Sequence, residues 1–372
     1  MPAAARHIPN TDDLALADAA LLTLATWRNE QLLPIGGEDL PSDLQRLAES
    51  LTRHGYATLR DVRADAGAAL QQLTGLPLTP YKPTKKDTRS LREAQIPLTV
   101  TDCHPGSEDM HRLHRQRNLL AALLASPELA AGGDPDAILA TMPVLVARRT
   151  MHTFRPFTAD EMLLCRLVAT AAARRPRSLQ GAATFALADG GATPGETTGV
   201  RICDLDRWQA PSGFALPGST RTIPLPYDPA HATDKLPQRQ LRAARTGRLD
   251  DWGSRIVTRQ LTVLTRAAGG ELDPATRVSY GGGHQPGGQQ ATMSAQRVID
   301  GILVKAGLYH LADITAKSVS LYAAQVAADR GDRQAALALT GETEHRTRRL
   351  LTADLPRPTS PRPATPRFRR AA

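Results

Sequence analysis

Residues able to do chemistry are sparse in this chain, and their spacing is more informative than their number. Cys103, His104, His111 and His114 lie close together in sequence, and cysteine with histidine is a donor set that suits zinc. His111 and His114, three apart, would share one helix face. Cys103 and His104, however, are adjacent and sit beside Pro105-Gly106, and no second pair has ligand spacing. The expectation is therefore surface or capping histidines and no metal. The chain has no GxxxxGK[ST] phosphate loop, no GxSxG elbow and no HExxH helix. The glycine-rich run from Gly281 to Gly288 (GGGHQPGG) lacks the lysine and the following hydroxyl residue, so it reads as a linker loop. The acidic residues offer no isolated pair in an apolar context of the kind acid–base work requires. No cofactor is expected.

What the chain does carry is cations. It has 372 residues, with 46 Lys plus Arg against 37 Asp plus Glu, for a formal net charge of +9. A polyanion is the partner class this suggests, with DNA first. Only six of the 46 are lysine, so an arginine-rich genome composition is the competing explanation. The charge is also uneven. The run after Leu355, PRPTSPRPATPRFRRAA, carries five arginines and no acid, which leaves +4 for residues 1–355. Local clusters are the better candidates for phosphate contact: Lys82, Lys85, Lys86 and Arg89; Arg148 and Arg149; Arg174, Arg175 and Arg177; and Arg221. Each alone is equally well read as a solvated surface side chain.

These residues must be positioned by helices. Only 4% of the chain is aromatic and 41% is hydrophobic, so the cores are built of Ala, Leu and Val, a composition that favours helix. Two domains fit the length at roughly 100–200 residues each. Residues 1–10 read as a flexible arm, 11–156 as a helical N-terminal domain, 157–354 as a second domain and 355–372 as a disordered Pro/Arg tail. Asp12 or Asp13 is expected to cap the first helix, and Asp134-Pro135 to open a short one. Thr158 and Glu161 form a capping-box signature ahead of a long apolar helix. VRICDLD is β-like, GFALPGSTRTIPLP reads as a hairpin turning at Pro217-Gly218, and residues 236–266 read as helix. No apolar run is long enough to span a membrane. The first residues lack a signal core, and three cysteines make no disulfide framework, so a cytoplasmic setting is expected.

The order of elements after Thr158 resembles the catalytic domain of the tyrosine recombinase (phage integrase) family. GGATPGE, ending in Glu196, is followed eight residues later by Asp204-Leu205-Asp206, the interval between that family's TGLRxSE-like turn and its D-I-D strand. Thr220 to Leu225 (TRTIPL) looks like the K-x-R-x-x-P-L strand. Ala306-Gly307-Leu308 resembles the helix end before the HxxR box, and Arg330-Gly331 with Leu339-Thr340-Gly341 resembles the R-G…L-L-G-H stretch. Upstream, residues from Arg112 to Pro156 resemble the last helices of the family's core-binding domain. The resemblance implies a mainly α (α+β) fold: a core-binding-like helical domain and a recombinase-like domain with a small β-hairpin sheet, clamping double-stranded DNA between them.

The departures bear on activity. The family's chemistry uses a nucleophilic tyrosine, two arginines that hold the phosphate oxygens, a lysine, and groups that assist proton transfer. Carried over by position, the first arginine falls on Thr193 and the hairpin lysine near Leu216. The HxxR box falls on Lys317 to Ser320, the following histidine on Glu342, and the nucleophile near Leu351. All six tyrosines precede Leu351. A rival register, Thr198 to Asp204 (TGVRICD), restores an arginine at Arg201 but not the tyrosine. The expectation is a DNA-binding protein of this type without strand cleavage, using the basic clusters and Lys317. Two alternatives stay open: an active recombinase with a displaced nucleophile such as Tyr322, and a protein-interaction scaffold that does not bind DNA. Self-association on DNA is also left open, and neither a membrane nor a small-molecule cofactor is expected.

Overall fold

The computed structural model describes residues 10–82, 97–100, 107–146, 154–216, 245–279, 285–311, 313–342 and 344–351. Within them the fold is mainly helical. Four helices open the chain: α1 (Leu16–Asn29), α2 (Leu40–Arg53), α3 (Leu59–Ala64) and α4 (Ala66–Thr74). They surround α5 (Glu108–Ala131), which Ser107 caps by accepting the Met110 N–H at 3.3 Å. From Leu119 to Ala125 every residue of α5 is buried, so this helix is the centre of the N-terminal half rather than one of its faces. Pro127 lies inside α5 and cannot donate to the carbonyl of Leu123. The Thr23 hydroxyl of α1 donates to that carbonyl instead, at 3.5 Å, while Trp27 Nε1 donates to Ser126 Oγ at 3.0 Å.

A small sheet follows on this half. Strands β1 (Leu78–Pro80) and β2 (Pro97–Val100) pair antiparallel, and β2 pairs parallel with β3 (Val144–Val146) beyond α6 (Pro135–Ala140). The second half begins with α7 (Ala159–Ala173), where Thr158 N–H donates to Glu161 Oε2 at 2.8 Å as the capping box requires. Helix α8 (Pro176–Asp189) and a single turn, α9 (Pro194–Thr197), come next. Strands β4 (Gly213–Leu216) and β5 (Arg245–Arg248) form an antiparallel pair. Then come α10 (Asp251–Ala267), α11 (Gln289–Ala306), α12 (Ala316–Asp329), α13 (Arg333–Thr340) and α14 (Glu344–Leu350). Trp252 of α10 anchors the layer. It lies edge-on to Phe185 at 6.1 Å and donates to Thr170 Oγ1 at 2.9 Å.

One continuous apolar cluster runs from Leu16 to Tyr322, so both halves share a core. Polar contacts cross between them as well. Asn118 donates to Asp160 at 2.8 Å, Arg117 donates to the Ala306 carbonyl at 2.6 Å, and Glu30 accepts from Arg255 and Arg174. Burial raises the Glu30 carboxyl, and the two arginines more than offset it, so its pKa is lowered.

Several local expectations are corrected. Asp12 and Asp13 lie in a 3₁₀ turn capped by Asn10. Helix α1 starts at Leu16 without a side-chain cap, and Asp12 pairs with Arg63 instead. Ile202 to Asp204 is a 3₁₀ turn, not a strand. The described partner of β4 is Arg245–Arg248, inside a stretch read as helix. Phe214 stands opposite Gly247, and a Cβ at 247 would run into its ring. This packing, not intrinsic strand preference, holds RTGR extended. Residues 217–244, with the proposed turn and Arg221, lie outside the described residues.

Candidate functional site

Helix α9 is the keystone of a large cavity. Thr193 is its N-cap. Its hydroxyl donates to Glu196 Oε2 at 2.8 Å and accepts the Glu196 N–H at 3.4 Å, while its own N–H donates to the same carboxylate at 2.8 Å. Glu196 is buried, and it is neutralised by Arg245 of β5, whose guanidinium also donates to the Leu339 carbonyl. This pair joins α9, the small sheet and α13. On the other side, Thr198 Oγ1 donates to the Gly195 carbonyl at 2.7 Å and accepts the Gly287 N–H at 3.0 Å, fixing the approach to α11.

The cavity has a volume of about 840 Å³. Thr193, Arg201, Arg245, Lys317, Ser320 and Glu342 all line it. Lys317 sits in the first turn of α12, over the Phe154 ring at 4.9 Å. Ser320, one turn on, donates to the Lys317 carbonyl at 2.9 Å. Glu342 follows Gly341, the left-handed residue that ends α13, and accepts from Arg346 at 3.4 Å. Three cations and several hydroxyls thus face one hollow, with acids at Glu196, Asp204 and Glu342. The cations of such a lining can hold the oxygens of a phosphate. Among the described lining residues there is no tyrosine, histidine or cysteine to attack phosphorus or relay a proton.

Positions scattered over about 150 residues of sequence therefore converge. Thr193, Lys317, Ser320 and Glu342 share the cavity, and Arg201 joins them, so both sequence registers point into the same space. Leu216 does not line it. It is buried on β4, opposite Arg245. Leu351 is also buried, in a small cluster with Ala324, Ala328, Ala336 and Leu339, while its neighbour Leu350 lines the cavity. Tyr322 belongs to a different cavity of about 370 Å³, beside Arg166 and Asp189. Its hydroxyl donates to the Ile35 carbonyl at 2.7 Å, and burial pushes its pKa up.

The basic clusters divide. Lys82 is exposed. Arg174 pairs with Glu30 at 3.4 Å and Arg175 with Asp134 at 3.0 Å, and Arg177 lines a third cavity. Lys85, Lys86, Arg89, Arg148 and Arg149 lie outside the described residues, as do Cys103 and His104. His111 is exposed. Burial pushes the His114 imidazole down to about 4. Among the described residues no group of three or more His, Cys, Asp or Glu side chains is arranged to hold a metal ion, and no helix is long and apolar enough to cross a membrane.

Sequence reasoning missed Arg245, because its role depends on Glu196, 49 positions away. It also missed the Gly287–Gly288 wall, which reads as linker until Thr198 is seen to hold it. No protein-family model matches the chain, and no curated protein matches it. Among solved structures there is a weak likeness to XerA recombinase, at 13% identity and a TM-score of 0.35, covering 89% of this chain and 91% of that one.

Proposed function

We propose that this protein binds double-stranded DNA through the cavity framed by α9, the Gln285–Gly288 approach to α11, α12 and α13, and does not cut it. The observation that carries this reading is the convergence of Thr193, Arg201, Lys317, Ser320 and Glu342 on one hollow. These are the positions where the recombinase resemblance puts phosphate-handling groups. In this reading Lys317 and Arg201 supply the charge to a backbone phosphate, while the hydroxyls of Thr193 and Ser320 stay committed to Glu196 and the Lys317 carbonyl. Arg245 contributes its field but not a free fork, since Glu196 and the Leu339 carbonyl occupy it.

Two residues support the reading without cleavage. Leu351 has no nucleophile and is packed into an alanine-lined cluster. Tyr322 is held against the Ile35 carbonyl with its phenol kept protonated by burial. Phosphate contacts of this type position a duplex without reading its sequence. Fluorescence anisotropy with a labelled duplex tests the binding. Affinity should fall linearly on a log–log plot as salt rises, and a flat response or no binding to any duplex would favour an interaction scaffold. A nicking assay on supercoiled DNA tests the second half, and a covalent adduct that disappears in Tyr322→Phe would restore an active recombinase.

A further inference from the structure

A second hollow of about 760 Å³ lies behind α9, between α7, α8 and α11. The two cavities share α9 as a partition. Glu196 and Gly199 face the first, and Thr197 and Thr198 face the second. Three cations line the second hollow: Arg177, Arg297 and Lys305, all exposed. Among the described residues Arg177 and Arg297 have no hydrogen-bond or ion-pair partner, whereas Lys305 reaches Asp136 at 2.6 Å. No carboxylate is among the described lining residues. Ser178 and Ser294 add hydroxyls near the rim, and Val298 and Ile302 give an apolar wall.

We propose that this hollow is a distinct binding site for a small organic phosphate ester of nucleotide size. Its phosphates would be met by Arg177 and Arg297, and its apolar body would lie along Val298 and Ile302. The volume falls within the roughly 300–1,000 Å³ typical of small-molecule sites. Two unpartnered guanidiniums over hydroxyls, with no opposing acid, select a multiply charged anion. A hollow of this size takes a small ester whole, whereas a duplex backbone would meet only the exposed arginines at its mouth. Thr197 and Ser279 are buried at the floor under α9, with the Ser279 hydroxyl donating to the Thr197 carbonyl at 3.0 Å. Occupancy would bear on the first cavity, because Thr198 lines the second and its hydroxyl holds the Gly287 N–H of the first.

Isothermal titration of the full chain with magnesium-free ATP tests the site, with inorganic pyrophosphate as the charge-only probe. ATP should bind saturably at one site, more tightly than pyrophosphate. The double variant Arg177→Ala, Arg297→Ala should weaken it by about tenfold or more. Ser178→Glu, which brings a carboxylate into the hollow, should do the same, while Lys317→Ala in the first cavity should leave ATP binding unchanged. Both arginines are exposed and unpartnered, so these variants should keep the wild-type melting temperature. No saturable binding, binding indifferent to the double variant, or equal loss in Lys317→Ala would each overturn the site. So would a duplex, rather than ATP, proving to be the ligand lost with Arg177 and Arg297. Because duplex binding is read separately with Lys317→Ala, failure here leaves the first cavity's reading intact.

Discussion

Arg117 of α5 lies against Gly307, the residue that ends α11 in the left-handed conformation at φ 73°. The guanidinium donates to the carbonyls of Pro143 at 3.0 Å and Ala306 at 2.6 Å, so a side chain of the N-terminal half caps a helix of the other. Arg117 is buried, and burial lowers its pKa to about 10. A Cβ at position 307 would meet the guanidinium directly. Gly307→Ala should therefore cost about 1–2 kcal/mol for the left-handed backbone and about 1–3 kcal/mol more for the displaced arginine. Urea unfolding would read that loss. An unchanged midpoint would mean the two halves are not joined through this contact.

The buried pair of Arg245 and Glu196 makes a second stability test. Both side chains are less than a tenth exposed, so removing one leaves an uncompensated charge beneath the cavity. Arg245→Met and Glu196→Gln should each cost about 3–5 kcal/mol. The double variant should cost less than the sum, because it leaves no orphaned charge. Strict additivity in chemical denaturation would remove the pair from the cavity's framework.

These two contacts mark where the sequence stops being legible. Capping was readable: Thr158 with Glu161 and Asp134-Pro135 announce helices that form at those residues, because a cap is a contact between near neighbours. The cavity positions Thr193, Lys317, Ser320 and Glu342 were legible only through the family-like order of elements, since none stands out by type. Strand β5 was not legible, because RTGR is extended by Phe214 across the sheet and not by its own preference. Arg245 and Arg117 read as two among 40 arginines. Their burial is set by partners far away in the chain.

Leu351, the position where the resemblance puts a nucleophile, tests the proposed lack of cleavage. It packs on Ala324, Ala328 and Ala336 and ties the end of α14 to α12 and α13. Leu351→Ala should cost about 2–5 kcal/mol. Leu351→Tyr should be destabilised by overpacking, by about 1–3 kcal/mol, and should form no covalent adduct on a nicked duplex. An adduct in Leu351→Tyr would show that the remaining groups still support attack on phosphorus.

His114 sets a pH dependence. It faces Glu161, Arg155, Asp313 and Arg117, and burial outweighs the carboxylates to hold its pKa near 4, against 6.5 in the unfolded chain. The unfolded state therefore takes up a proton first as pH falls. The contribution of His114 is complete above about pH 6.5 and is lost on descending toward pH 4, by at most about 3 kcal/mol. Asp189 works in the opposite sense. Burial, only partly offset by Arg166, raises it to about 6, so its contribution fades as pH rises through that range. The difference between wild type and His114→Gln isolates the imidazole. The wild type should lose stability relative to the variant between pH 6.5 and pH 4, and parallel curves would refute the assignment.

The duplex contacts proposed for the cavity can be counted. If Lys317 and Arg201 each neutralise one backbone phosphate, replacing either with alanine should lower duplex affinity about equally for every sequence. Each change should also reduce the slope of log affinity against log salt by about 1. Lys317 has the larger structural entanglement, through the Phe154 ring, so Lys317→Arg separates charge from packing and should retain the slope. The Glu342 carboxylate lines the same cavity, and Glu342→Gln should strengthen binding by removing a like charge from the phosphate's path. Weaker binding in Glu342→Gln, or alanine variants that leave the slope untouched, would move the duplex away from this cavity.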